Sequence, residues 1–430
     1  MNNVLGHILP GLLLAIPVGT LRADDAAGTY VTRPFDPNVK TLQVIADGDF
    51  EQLPVIDLEG NKQLEISFDY LADEQRLIDY TLVHCDAAWQ ADDLGEMDYL
   101  EYSYLPLHVE SVSASFNTRL NYFHYAVDFP NEEVQPKVSG NYAMVFHIQD
   151  EPDSVLAVAT FAVSEHLAFV SGTVSAITDI DFQKSHQQLT LDVSWGDSHL
   201  PHMDAASELL LTVRQNGRLD NQRRVEHPTR LDRGHAYYEH ERALIFEAGN
   251  HWRRFEMTDY RTPGLRVDHV RYHAPLYYAY LDTDRSRAFD HYRYDQDQHG
   301  RYLVRALGVD DADTEAEYFV AMFALDAPVT MAGAQRIYLV GNLTSQVLDA
   351  STEMEYDPAT ELYHKELLLK SGAYNYQYLT PSSDPAFPAG LSTAPVEGNH
   401  YETPNEYDIY VYYRPFGARY DRLLSVAKIQ

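Results

Sequence analysis

Apolar residues in this chain recur at a period of two, in runs of about four to eight residues that stop at Asp, Asn, Gly or Pro. Helical spacing at i, i+3, i+4 is scarce. Strands of this kind bury one face each, so they fold by stacking sheets, and a spacing of roughly ten residues between them marks a β-sandwich or barrel. In the first part of the chain the pattern predicts strands at Thr41–Ile45, Gln63–Phe68, Asp79–Cys85, Ser111–Phe116, Tyr122–Phe129, Tyr142–Ile148 and Ala157–Val163. A second set follows at Phe169–Val174, Gln188–Ser194, Glu208–Arg214, Ala243–Glu247, Arg253–Met257, Val267–Tyr272 and Tyr277–Leu281. The charged stretch Asp282–Gly300 reads as a long loop or peripheral segment, and the polar Asp310–Glu317 leads into a strand at Tyr318–Leu325. A third set begins with Ile337-Tyr-Leu-Val-Gly-Asn-Leu343, a strand ending in a Gly-Asn turn. Tyr374, Tyr376 and Tyr378 then share one strand face, and Tyr407–Tyr413 and Leu423–Ile429 are expected to close this third domain.

A length of 430 residues exceeds one core, and 45% hydrophobic residues is ordinary for a globular protein. The 32 tyrosines, against 17 Phe and 3 Trp, suit strands and half-wet surfaces, where the ring packs and the hydroxyl stays hydrated. The expected fold is therefore all-β, with tandem β-sandwich domains. The expected division is 1–23 as a signal peptide, 24–165 and 166–316 as two sandwiches, and 317–430 as a third.

Val4–Gly19 is an apolar run too short and too broken by Pro and Gly to span a membrane, and Leu21-Arg-Ala23 offers a cleavage site before Asp24-Asp25. The run reads as a secretory signal, although no Lys or Arg precedes it. No cysteine follows it to carry a lipid anchor, and no later stretch reaches ~18 apolar residues. The single cysteine, Cys85, excludes an intramolecular disulfide and reads as a small buried strand residue.

The net charge of −33 is uneven. Residues 41–165 carry 24 acids against four bases, a charge of −20, while residues 166–300 carry −4 and residues 301–430 carry −9. A field of this sign makes nucleic acid and anionic lipid poor partners. It either steers the first domain toward a basic partner or solvates the surface in salty surroundings. The 25 Arg against seven Lys fit the second reading as well.

No residue pattern points to catalysis. His84, Cys85 and Asp86 are metal-ligand types, but neighbours on a strand face opposite ways and do not converge on one ion. His227, His235 and His240 lack ligand spacing, and there is no Gly-x-Ser-x-Gly, phosphate loop or CxxC. No catalytic, cofactor or metal residue is expected.

The informative segments are ordered ones. They begin with Phe68-Asp69-Tyr70, Tyr80-Thr-Leu-Val-His-Cys-Asp-Ala-Ala-Trp89, Asn117-Thr-Arg-Leu-Asn-Tyr-Phe-His-Tyr-Ala-Val-Asp-Phe-Pro-Asn131 and Ser139-Gly-Asn-Tyr142. Gln215-Asn-Gly-Arg-Leu-Asp-Asn221 and Phe246-Glu-Ala-Gly-Asn-His-Trp-Arg-Arg-Phe255 follow. Asn399-His-Tyr-Glu-Thr-Pro-Asn-Glu-Tyr407 and Val411-Tyr-Tyr-Arg-Pro-Phe-Gly-Ala-Arg-Tyr-Asp-Arg-Leu423 end the series. In this order the chain resembles the plug protein family of the type IX secretion system from about Thr29 onward, departing from it at Pro404 and at His251-Trp252. The resemblance implies a non-enzymatic, periplasmic subunit at the inner face of the outer membrane. Its partner would be the giant translocon β-barrel, whose periplasmic mouth it closes between export events as a monomer in the complex. Residue by residue, these segments also read as turns and corners, with Asn141, Asn216 and Asn250 beside glycines and Arg253 or Arg254 pairing with a carboxylate.

The third set resembles the early-set immunoglobulin-like modules of starch-active and glycogen-binding proteins. That likeness implies a C-terminal immunoglobulin-like domain and, as the alternative function, a secreted carbohydrate-binding protein. Those modules stack sugars on tryptophan after the Gly-Asn turn; here Leu343-Thr-Ser-Gln follows it, and the last tryptophan is Trp252.

Overall fold

The computed structural model describes residues 29–102, 105–196, 200, 204–327, 335–382 and 390–430. The expected signal peptide, residues 1–23, lies outside the described residues. The chain is all-β, built from stacked, mainly antiparallel sheets around three buried apolar clusters.

In the first lobe, Val39–Ala46, Leu64–Leu71, Tyr122–Phe129 and Ser111–Ala114 form one sheet. The facing sheet runs Arg33–Pro34, Glu151–Ser164, Gly140–Ile148, Ile78–Cys85, Leu107–His108, and Val55–Asp57 joins Glu151–Ser164 in parallel. Alternation sends Phe68, Tyr125, Phe146, Tyr142 and Phe161 between the sheets, where Phe68 stacks on Tyr125 at 5.4 Å and meets Phe146 edge-on at 4.9 Å.

The second lobe packs the sheet of Phe169–Ser175, His186–Ser194, His235–Tyr238 and Arg230–Asp232 against a second sheet. That second sheet is ordered Arg223–Val225, Leu209–Gln215, Tyr407–Tyr413, Arg422–Ile429. The third lobe places Arg253–Met257, Gly372–Pro381 and Tyr302–Val304 over the sheet of Val267–His273, Leu276–Leu281, Tyr318–Asp326, Leu362–Lys370 and Glu355–Asp357. Tyr374, Tyr376 and Tyr378 are buried together in its core.

The buried clusters do not follow the contiguous division expected for residues 166–316 and 317–430. Tyr407–Tyr413 pairs with Leu209–Gln215, from Leu209 opposite Tyr413 to Gln215 opposite Tyr407, so the chain's end completes the second sandwich. Arg253–Met257, Val267–His273 and Leu276–Leu281 instead pack in the third core with Phe319, Phe323 and Tyr374. The cause is visible in Tyr407–Tyr413, whose seven residues are all buried. Its Tyr407, Ile409 and Val411 fill the second core, while Tyr410 and Tyr412 pack on Ala87 and Ala162 of the first lobe. A strand apolar on both faces needs cover on both, and only the groove between two lobes provides it.

Two local expectations also shift. Ala243–Glu247 divides into a 3₁₀ turn, Arg242–Leu244, and a strand, Ile245–Glu247. Asp282–Gly300 is largely a long loop, one of its two expected readings, but not peripheral: Asp284–Arg285 joins the third lobe's sheet, and the Asp284 and Asp297 side chains are buried, while Phe289 and Tyr294 stay exposed.

Candidate functional site: the joints between the lobes

The ordered segments converge on the seams where the three lobes meet. At the first seam, Asp69 on Leu64–Leu71 is fully buried. Its carboxylate accepts from Lys370 Nζ at 2.7 Å and Tyr318 Oη at 2.6 Å, both from the third lobe, while His124 Nδ1 lies 2.8 Å away. Lys370, also buried, donates further to the Asp313 carbonyl at 2.6 Å and sits over the Tyr122 ring at 4.4 Å. Around this ion pair, Tyr122 Oη donates to the Ala316 carbonyl at 3.0 Å and the Arg119 amide to Glu317 at 3.0 Å. A lone buried charge would be prohibitive; three partners on one carboxylate make it a directional lock.

The second seam joins the first and second lobes through Asn141. Its Nδ2 donates to the Asp86 carbonyl at 2.8 Å, and its Oδ1 accepts from Tyr412 Oη at 2.9 Å. The Ala87 amide donates to Asp421 at 2.9 Å, and the Leu423 amide to Ser139 Oγ at 3.1 Å. Arg422 forks onto Glu165, with Nε 2.9 Å from Oε1. Gly140 adopts φ +141° and backs onto the His84 ring, so a side chain there would be both strained and blocked. His84 turns toward Asp92 and the Ser139 carbonyl, whereas Cys85 faces the other way among Ala143 and Val158. The neighbours therefore do not converge, as their alternation requires. Burial, with Asp92 and Asp86 nearby, pushes the Cys85 thiol well up.

Asn216 extends the second lobe's own strand pair, its Nδ2 donating to Asn405 Oδ1 at 2.8 Å and its Oδ1 accepting from the Glu406 amide at 2.9 Å. At the third seam, between the second and third lobes, the Leu219 amide of the same segment donates to Gln346 Oε1 at 3.1 Å. Asn250 Nδ2 donates to the Glu397 carbonyl at 2.8 Å, and Arg301 reaches Glu406 at 2.9 Å. Behind this seam Arg253 is buried, donating to both Glu397 oxygens at 3.0 and 3.1 Å, to Asp284 at 2.8 Å and to the Arg285 carbonyl at 2.8 Å. Tyr376 and Tyr378 donate to the other Asp284 oxygen at 2.7 and 2.8 Å. Of the two candidate arginines, Arg253 makes the buried pair; Arg254 meets Asp295 at an exposed site.

Burial alone would push Glu397 up, but Arg253 and Arg287 overcome it and hold its pKa at about 2. A carboxylate depressed on folding contributes stability that is complete above its unfolded pKa and lost as pH falls through the folded value. The third lobe is therefore expected to weaken progressively between about pH 4.5 and pH 2. Urea midpoints followed by fluorescence over that window check this; a flat profile would mean the cluster does not couple to folding.

His227 lies near the Ala206 carbonyl, His235 beside Asp192 and His240 beside Asp179, each by itself. Among the described residues no group of three His, Cys, Asp or Glu side chains is placed to hold a metal ion. Sequence reasoning missed Lys370, Asp284 and Glu397, the partners that the flagged segments grip.

This is a three-lobed β-sandwich protein whose most elaborated polar chemistry joins its own parts. Residues 39–165 match the family model described as the type 9 secretion system plug protein 1st domain. The chain is also similar to a hypothetical protein from Parabacteroides merdae ATCC 43184, known from a crystal structure at 2.30 Å resolution. The two are 37% identical with a TM-score of 0.88, over 94% of this chain and 99% of that one. No curated protein matches. The chain belongs to the type IX secretion system plug protein family. Membership gives it a role in type IX secretion as a structural component at the periplasmic and outer-membrane side. Among the described residues no helix is long and apolar enough to cross a membrane.

Proposed function

We propose that this chain closes the periplasmic opening of the giant outer-membrane translocon barrel between export events, as a non-enzymatic, monomeric subunit of the complex. The observation that carries the reading is the use of the family segments as interlobe joints. A barrel wide enough for folded cargo breaches a permeability barrier, and its stopper must keep its width under load. A buried ion pair that fastens the first lobe to the third, Asp69–Lys370, and another that stiffens the third lobe from within, Glu397–Arg253, suit that demand. The signal-like N-terminus supports delivery to the periplasm, at the inner face of the outer membrane.

Reversible closure calls for an interface of ~1,200–2,000 Å² with charge complementarity. The −20 charge of residues 41–165 suits a basic rim on the barrel. Association is expected to slow and weaken between low and physiological salt, since exposed charges are screened beyond ~8–10 Å there. Surface plasmon resonance across a salt series checks this, and salt-independent binding would assign the charge to solvation instead.

Cells lacking this chain are expected to admit large hydrophilic antibiotics and dyes while the barrel remains in the membrane. Unchanged permeability in a strain still holding the barrel would defeat the plug reading. The carbohydrate alternative gains nothing from the third lobe's tyrosine row, because Tyr374, Tyr376 and Tyr378 are all in the core.

A further inference from the structure

The three lobes leave a cavity of about 190 Å³ where they converge, lined from all three by residues including Leu42, Thr160, Arg214, Asp408, Arg301 and Gln346. Asp408 is 1% exposed, and both of its carboxylate oxygens lack a hydrogen-bond partner. The strands ought to supply partners. Arg214 and Lys428 stand directly across from Asp408 on the neighbouring strands. Both turn away: Arg214 donates to Gln222 at 2.7 Å and lies over the Trp89 and Tyr410 rings, while Lys428 reaches Glu406 at 3.0 Å. Arg301 also goes to Glu406. A buried carboxylate with two cations beside it and neither engaged is a costly arrangement, and it leaves two strong acceptors facing the cavity.

The surroundings select the ligand. Arg301 and Lys428 already serve Glu406 and Arg214 is a third cation beside Asp408, so a metal ion or ammonium would have to compete with three resident cations. An anion cannot satisfy Asp408. A hydroxyl can donate to the carboxylate and accept from guanidinium N–H groups beyond those used on Gln222 and Glu406. The rings of Tyr302 and Tyr410 and the side chains of Leu42 and Leu53 give the apolar walls that the C–H face of a sugar packs against. The space equals about six waters at ~30 Å³ each, the scale of one pyranose ring.

We propose that the interlobe cavity binds a neutral polyhydroxylated molecule the size of a single sugar ring, through hydroxyl donation to Asp408. Occupancy would tie all three lobes together, since each contributes part of the wall.

Burial pushes the Asp408 pKa up to about 6, against the pull of Arg301, Lys428 and Arg214 and with Glu406 adding to the rise. The folded protein therefore loses stability as this group ionises, between its unfolded pKa and about 6. Asp408→Asn is expected to melt higher than wild type at pH 8 and equally at pH 3.5, which confirms that the variant folds. Calorimetric titration of the full chain with glucose, galactose, mannose and myo-inositol provides the test. At least one probe is expected to bind saturably and to raise the melting temperature. Asp408→Asn should weaken it about tenfold or more, the loss expected for a hydrogen bond to a charged group. Leu53→Trp, which adds bulk to the cavity wall, should weaken it as well. Absence of saturable binding by any of the four overturns the proposal, as does binding indifferent to both variants. Asp408-dependent binding of calcium or methylammonium, with no sugar effect, would overturn it in favour of a cation. Because the readout is binding by the isolated chain, the barrel-closing reading stands or falls separately.

Discussion

Replacing Lys370 with methionine is expected to lower the unfolding free energy by about 3–5 kcal/mol, the usual effect of deleting one partner of a buried ion pair. Among the described residues Lys370 is the only lysine or arginine on Asp69, and both members of the pair are inaccessible to water. Methionine fills much of the stem's volume, so the loss reports the stranded carboxylate more than a hole. The urea midpoint should fall by on the order of 1 M. Asp69→Asn combined with Lys370→Met should recover most of that loss, because no charge is then buried, and Tyr318 and Thr41 still bond each other at 2.7 Å. A single-variant effect under about 1 kcal/mol would mean that the first and third lobes are not held by this joint.

Arg253→Met should be at least as damaging, because the guanidinium serves two buried carboxylates at once. Glu397 would keep Arg287 at 2.6 Å and Asp284 would keep Arg266 at 2.6 Å, which limits the loss to about 3–5 kcal/mol rather than more. Arg253→Lys should rescue little, since a single ammonium cannot reproduce a fork reaching Glu397, Asp284 and the Arg285 carbonyl. The deficit should shrink in acid, where Glu397 takes up a proton and no longer needs a cation. Fluorescence of the adjacent Trp252 during urea unfolding reads the effect directly. Equal stability of the lysine variant and wild type would show that charge alone, without the planar geometry, holds this corner.

Much of the architecture can be read from residue order because it depends on local alternation. Tyr122–Phe129 and Phe169–Ser175 lie where the period-two pattern puts them, and even the two-sided burial of Tyr407–Tyr413 is written in its nearly unbroken apolar run. Partner choice is another matter. Nothing in Tyr407–Tyr413 says that it pairs with Leu209–Gln215 across nearly two hundred residues, because a strand's edge chemistry is the same for any partner.

The joints were half legible. Asn141, Asn216 and Asn250 stand out beside glycines, and one of Arg253 and Arg254 is expected to meet a carboxylate. Asp284 and Lys370 gave no signal, since charged residues read as exposed until a partner is known. That is why Asp282–Gly300 looked peripheral when it carries Asp284 and Asp297 into the interior. The cavity at Asp408 was invisible for the same reason. Tyr407-Asp-Ile-Tyr410 looks like any strand with one solvated acid, and only three-dimensional closure shows that no water-facing side is left for it.

The most direct measurement is affinity capture with the tagged chain, residues 24–430, from detergent-solubilised outer membranes of its own bacterium. One very large β-barrel is expected at near-equal stoichiometry, with less recovered from Lys370→Met, whose lobes are no longer held in register. Recovery of polysaccharide or cell-wall material without any barrel, or of nothing at all, would contradict the barrel-closing reading.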